Sequence, residues 1–156
     1  MRVRTPSTEV TNLRGHIGFW LRFVSNHVSH TFARKLEGSG VTVAEWVILR
    51  EMFDSPSTSP SALATATGLT RGAVSKLIDR LVQKNLVSRA EASGDRRFQD
   101  IKLTSGGRTL VPRLAHIADR SDEEFFSQLS AEEREQLVLT LKKLVAANRL
   151  HKIPIS

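Results

Sequence analysis

The sequence predicts a mainly α fold with one small β-hairpin, and three observations lead there. Apolar residues recur at helical spacing through most of the 156 residues. That period gives way once, over residues 86–103, to a strand–turn–strand pattern. Helix start signals punctuate the rest: Thr42 and Ser130 each stand three residues before a Glu, Ser59 stands before Pro60, and Thr70 follows a Gly-Leu pair.

Taken in order, residues 1–9 are basic and polar and read as a flexible arm. Over residues 10–36, Leu13, Ile17, Leu21, Val24, Val28, Phe32 and Leu36 mark a long helix that Gly38 and Gly40 end. Thr42-Val43-Ala44-Glu45 is a capping box opening a helix to about Phe53, and residues 54–59 (DSPSTS) form a loop. Ser59 caps the next helix with Pro60 at its first position, where a missing N–H costs nothing. Leu63 and Ala64 begin its buried face and Gly68 ends it. Thr70 then caps a helix over residues 70–84 whose Val74, Leu77, Ile78 and Leu81 form a single stripe. Asn85 suits the left-handed position after it. Leu86, Val87 and Ser88 open a strand, Ser93-Gly94-Asp95 signals a turn, and Ile101 and Leu103 fit a returning strand with Lys102 on the other face. A helix follows Thr104 to about Gln128, with Leu110, Leu114, Ile117 and Phe125 on one side. Pro112 inside it predicts a kink or a late start. The capping box at residues 130–133 opens a last helix, whose Leu137, Leu141 and Leu144 make a seam-like stripe.

Residues 60–67 and 70–84 are therefore a helix-turn-helix with a very short turn, and the attached hairpin makes it a winged helix-turn-helix. Away from its apolar stripe, the second helix presents Arg71, Gly72, Ser75, Lys76 and Asp79, with Arg80 and Lys84 at the margins. Donors, small residues and cations without apolar bulk are what docking in a DNA major groove requires. Thr70, Arg71, Gly72, Ser75, Lys76 and Arg80 are thus candidate DNA contacts, joined by Asp95, Arg96 and Arg97 in the wing. Arg89, at the wing's base, is either structural or a phosphate contact. A winged helix built for protein contact would show apolar residues on the exposed helix face, and this one does not.

Charge agrees. The net charge is +7, and over residues 71–108 nine Lys and Arg stand against four Asp and Glu, whereas residues 119–135 are mainly acidic. One nucleic-acid face fits that asymmetry. No segment pairs a basic face with a large apolar one as a membrane-surface helix would. With no run of about eighteen apolar residues and no secretory signal, a cytoplasmic protein with no membrane association is expected.

The absence of cysteine excludes disulfides, thiolate zinc sites and cysteine-based oxidation sensing. His27 and His30 share a helix at i, i+3, a spacing compatible with joint metal ligation, but no Asp or Glu lies a turn from either. No G-x-S-x-G, Gly-rich phosphate loop or H-E-x-x-H occurs. No catalytic residue, metal or cofactor is expected, and the chain does not read as an enzyme.

These residues resemble the MarR family of winged-helix transcriptional regulators. The motifs carrying the resemblance are Leu63-Ala64, residues 74–81 (VSKLIDRL), Leu86-Val87-Ser88-Arg89, Asp95-Arg96-Arg97, and Leu103-Thr104 with Gly107, at matching spacing from about residue 40 to 110. Asn85 stands where the family usually has Gly and tolerates the same backbone geometry. The resemblance implies one integrated domain in which residues 38–104 form the DNA-binding lobe. Residues 10–37 and 105–150 then supply long N- and C-terminal dimerisation helices that interlock between two subunits. A homodimer of this kind reads double-stranded DNA at a pseudo-palindrome, its half-sites about one helical turn apart. The resemblance also implies that Arg97 enters the minor groove, where Asp95 can hold its guanidinium. It further implies a small aromatic or phenolic effector between the dimer helices and the lobe, for which Trp20, Phe23, His27 and Trp46 are candidates, core packing being the other reading of the two tryptophans. The expected function is a ligand-responsive repressor. The alternative is a winged-helix module for protein–protein contact or non-specific DNA packaging.

Overall fold

The computed structural model of the chain describes the backbone of residues 10–92 and 95–156, and the side chains of these outside 91–98. The chain order is α1 (Ile17–Glu37), α2 (Val43–Phe53), α3 (Pro60–Thr67), α4 (Arg71–Gln83), β1 (Val87–Ala92), β2 (Asp95–Leu103), α5 (Ser105–Phe125) and α6 (Ala131–Ala147). Residues 1–9, read as a basic arm, and the turn residues Ser93 and Gly94 lie outside the described residues.

Local signals place the helix starts. Thr42, Ser59, Thr70, Thr104 and Ser130 each accept a backbone N–H from the first turn of the helix that follows, and both capping boxes are closed by their glutamates. Asn85 takes the left-handed conformation at φ 57°. Two starts differ from the sequence reading. The first helix begins at Ile17, not near Val10, because the Asn12 side chain takes the N–H of Arg14 and closes a separate 3₁₀ turn at Leu13–Gly15. The late start considered for α5 does not occur, since the helix runs from Ser105 through Pro112.

The two strands pair antiparallel, from Val87 opposite Leu103 to Glu91 opposite Gln99, with a register shift between Glu91 and Ala92. Val87, Ile101 and Leu103 face inward and are buried, while Ser88 and Lys102 are exposed. Thr58, read as loop, exchanges both backbone hydrogen bonds with Ile101, at 2.9 and 2.8 Å, and so adds one residue to the sheet. The buried core residues run from Leu36 to Leu114: α2, α3 and α4 close around Ile48, Leu49, Ile78 and Leu81, roofed by the hairpin and the first half of α5. Gly107 seats α5 against the hairpin, for a Cβ there would lie 2.2 Å from the Leu86 carbonyl oxygen.

One ion pair pins α4 from within. Lys84 was expected at the margin of the exposed face of α4, but its ammonium turns inward. It donates to Glu45 Oε2 and to the Gly40 carbonyl, each at 2.7 Å. Glu45 is 1% exposed and also accepts the Thr42 N–H.

The outer helices are left uncovered. Only Leu36 of α1 is buried, and no residue of α6 is. Ile17 is 84% exposed, and Leu141 and Leu144 are 37% and 46% exposed. Part of these stripes packs on the chain's own core, with Phe32 of α1 and Leu110 and Ile117 of α5 against it, while the rest finds no cover among the described residues. Lys35 of α1 bonds Glu124 of α5 and holds its carboxyl below the usual carboxylate range. The lowered value means the pair contributes above the ordinary carboxylate pKa and is lost as pH falls through the lowered one. Its exposure keeps that contribution small.

Candidate nucleic-acid interface

The turn Gly68-Leu69-Thr70 sets the position of α4. Gly68 adopts a left-handed conformation at φ 69°, Leu69 is buried, and Thr70 caps the helix by accepting the Ala73 N–H. Thr67, fully buried, donates its hydroxyl to the Leu63 carbonyl and accepts the Leu69 N–H. The polar turn residue is thereby satisfied inside the core and the turn is held without a longer loop.

From that seat, Val74, Leu77, Ile78 and Leu81 are buried and the opposite face is open. Arg71, Gly72, Lys76, Asp79 and Arg80 are exposed and Ser75 is half-buried. A Cβ built at Gly72 meets nothing within 4 Å, so the surface before it is free for close approach. The exposed face brings together three cations, a hydroxyl and the free N–H groups of a helix start, a set that suits phosphate oxygens and base edges.

Arg89 of β1 reaches back to Asp79 of α4 and forms an ion pair with it. The contact links the wing's first strand to α4 and offsets the one acid on the exposed face. The guanidinium has further donors beyond those a single carboxylate oxygen takes. The backbone of Asp95, Arg96 and Arg97 starts β2, while their side chains lie outside the described ones.

The four candidate effector residues separate. Trp46 lines a cavity of about 260 Å³ between α1, α2 and α5, together with Val28, Phe32, Val47 and Ser121. Ser121 Oγ is buried there without a hydrogen-bond partner among the described residues. Trp20 and Phe23 are instead 50% and 65% exposed on the uncovered side of α1, where Trp20 Nε1 donates to the Arg14 carbonyl. His27 packs on the Phe125 ring at 5.8 Å between centroids. Within one chain, then, only Trp46 of the four faces the cavity. Core packing describes neither tryptophan fully, since Trp46 is partly buried and Trp20 half exposed.

Sequence reasoning missed the Lys84–Glu45 pair and the cavity residues Val47 and Ser121. The pair joins positions 39 apart in the chain, and the capping box that marks Glu45 gives no sign of burial. Ser121 sits one position from Asp122 in an acidic stretch that reads as solvated surface.

Comparison with known proteins gives a consistent result. Residues 39–97 match the MarR family. Over 134 residues the chain is 31% identical to a protein assigned as the transcriptional regulatory protein for the hcr operon of Thauera aromatica, covering 85% of this chain and 81% of that one. The transcriptional regulator HosA of Escherichia coli O157:H7 is 29% identical over 74% of this chain and 86% of its own. Both relatives are transcriptional regulators rather than enzymes. Among solved structures, BpsR of Bordetella bronchiseptica, whose DNA binding is regulated by 6-hydroxynicotinic acid, superposes with a TM-score of 0.77 at 26% identity, over 87% of this chain and 98% of its own.

Proposed function

This chain belongs to the MarR family of transcriptional regulators, and we propose that it is a ligand-responsive repressor that binds a pseudo-palindromic operator as a homodimer. The observation that carries the reading is the two-sided build of α4: one face locked in the core, the other open, cationic and free of apolar bulk. Thr70, Arg71, Gly72, Ser75, Lys76 and Arg80 make the groove contacts, with Arg89 at the wing base and Asp95, Arg96 and Arg97 at the wing. Residues 38–104 act as the DNA-binding lobe. Residues 10–37 and 105–150 act as the dimerisation region, and residues 1–9 as a basic arm, in the cytoplasm, where among the described residues no helix is long and apolar enough to cross a membrane. The uncovered apolar faces of α1 and α6 support the homodimer. Trp46 and the Ser121 hydroxyl, which has no hydrogen-bond partner among the described residues, support a small aromatic or phenolic effector, one offering an apolar wall and the other a polar contact.

Selection of bound fragments from a random DNA pool, followed by titration against scrambled DNA at one salt concentration, tests the reading. Specific readout gives an affinity ratio on the order of 10³ or more. A ratio near one means non-specific packaging or another role.

Two substitutions refine it. Lys76→Ala lowers affinity for the selected operator by about 1–3 kcal/mol if the ammonium meets a base edge, with a smaller loss on scrambled DNA. Equal affinities of wild type and variant on both DNAs remove Lys76 from the contact set. Arg97→Ala leaves the melting temperature unchanged and makes the salt dependence of binding shallower by roughly one to two ion equivalents per dimer. Asp95→Ala removes an anion, so on charge alone it strengthens binding, and a weaker complex identifies Asp95 as the residue that orients Arg97. A salt titration of the three proteins on one fragment decides. A tighter Asp95→Ala complex together with a wild-type slope for Arg97→Ala makes the wing a charged turn only.

A further inference from the structure

We propose that residues 151–156 form a strap that couples the filling of the α1–α2–α5 cavity to the seating of α4. The coupling to DNA rests on the reading of α4 given above; the strap itself rests on four contacts within the chain.

After α6 the chain returns across the DNA-binding lobe. The Ile153 N–H donates to the Thr67 carbonyl at 2.9 Å. Thr67 is the last residue of α3, so its carbonyl has no partner within the helix, and the strap supplies one. At Gly68 the strap comes closer than any side chain would allow: a Cβ there would lie 2.5 Å from the His151 carbonyl oxygen and 2.7 Å from Lys152 Cα. Gly68 therefore answers two demands, the left-handed turn and the room for the strap. One residue further, the strap leaves the turn. Ile155 packs against the core, and Pro154 and Ser156 line the cavity along with Trp46 and Phe32.

Six consecutive residues thus touch both the turn that places Thr70 and Arg71 and the wall of the cavity. With the strap in place the cavity holds about 260 Å³. Sites for drug-sized molecules run to roughly 300–1,000 Å³. Pro154 and Ser156 are part of the wall that an occupant meets, and an occupant larger than the space beside them displaces them. Displacement pulls on the Ile153–Thr67 bond and loosens the turn. An occupant then favours the strap-off state, and DNA favours the strap-on state in which α4 is held. By linkage each weakens the other by the same factor.

The test uses two strap variants of the full-length chain. Ile153→Pro removes the N–H that the Thr67 carbonyl accepts and keeps an apolar residue, with a shorter side chain and a stiffer backbone. Deletion of residues 151–156 removes the strap. Ile153→Val keeps the N–H and serves as the conservative control. Three readouts are taken: exchange of the Gly68 and Leu69 amides, which bond the Ala64 carbonyl and the Thr67 hydroxyl, acrylamide quenching of Trp46 in a Trp20→Phe background, and affinity for the selected operator, with helical circular dichroism as a check of folding. In both variants the expected results are exchange about tenfold faster, the scale of one lost net hydrogen bond, a quenching slope about doubled, and operator affinity about fivefold lower. The Val control matches wild type. Unchanged exchange at the turn overturns the proposal. So does faster exchange with Trp46 quenching or operator affinity unmoved, since the strap would then hold the turn without coupling it. Absence of any operator preference in the wild type overturns the DNA reading instead, and exchange and quenching still decide on the strap.

Discussion

Replacing Lys84 with methionine is expected to destabilise the fold by about 3 kcal/mol, the low end of what breaking a buried ion pair costs. Methionine matches the length and fills the same path along the lobe, so packing is nearly conserved. What is lost is the ammonium that meets Glu45 Oε2 and the Gly40 carbonyl, each at 2.7 Å. Among the described residues, Glu45 is then left as a buried carboxylate with the Thr42 N–H as its remaining partner. The low end of the range applies because the Lys84 side chain is 38% exposed, and water can follow the vacated ammonium part of the way. Glu45→Gln in the Lys84→Met background is expected to recover most of the loss, because a neutral amide removes the unpaired charge and still accepts the Thr42 N–H. The measurement is the urea midpoint at one fixed protein concentration, since the apparent stability of any chain that associates depends on concentration. A Lys84→Met protein within about 0.5 kcal/mol of wild type, the usual range of a surface change, would show that Glu45 finds water or another partner. The pair also ties the C-terminal end of α4 to the start of α2, so operator affinity is expected to fall along with stability.

How much of this was legible in the sequence follows from how local each cause is. Helix starts were legible because a cap is a contact over three residues: Thr42 with Glu45, Ser59 with Ala62, Thr70 with Ala73. The open face of α4 was legible too, since burying Val74, Leu77, Ile78 and Leu81 fixes where Arg71 and Lys76 must point. Thr58 was not, because a single residue between loop residues carries no alternation, and only Ile101 across the lobe makes it a strand. The effector candidates show the same limit on one helix. Trp20, Phe23 and His27 recur at i, i+3 and i+7, and so do Leu21, Val24 and Val28, turned by about 100° around α1. Periodicity alone gives two adjacent apolar faces. It is α2 and α5, packed on one of them, that put Val28 and Phe32 at the cavity and leave Trp20 and Phe23 outside.

The other large effect is expected from the face that nothing in the chain covers. Leu141→Glu with Leu144→Glu on α6 is expected to yield a monomer and to lower affinity for the full operator by a factor on the order of 10²–10⁴, the range that linking two binding units supplies. Both leucines are more than a third exposed in the single chain, as are Val138 and Val145 beside them, so α6 leaves a broad apolar face open. A helix of that kind is stable in water only when something buries it. Carboxylates at positions 141 and 144 would be solvated in the lone chain and cost its fold little. Across a two-fold axis each would appear twice, as four buried acids in one interface. The effect on DNA follows from geometry, because each chain carries one α4 and a palindrome needs two. Affinity for an isolated half-site is therefore expected to stay at the wild-type monomer level, while affinity for the two-site operator collapses to it. Sedimentation of the variant and a titration on one-site and two-site fragments separate the outcomes. A variant that still sediments as a dimer removes this face of α6 from the interface. One that becomes a monomer yet keeps full operator affinity removes the two-helix grip, since a single α4 and its wing would then be reading the whole site.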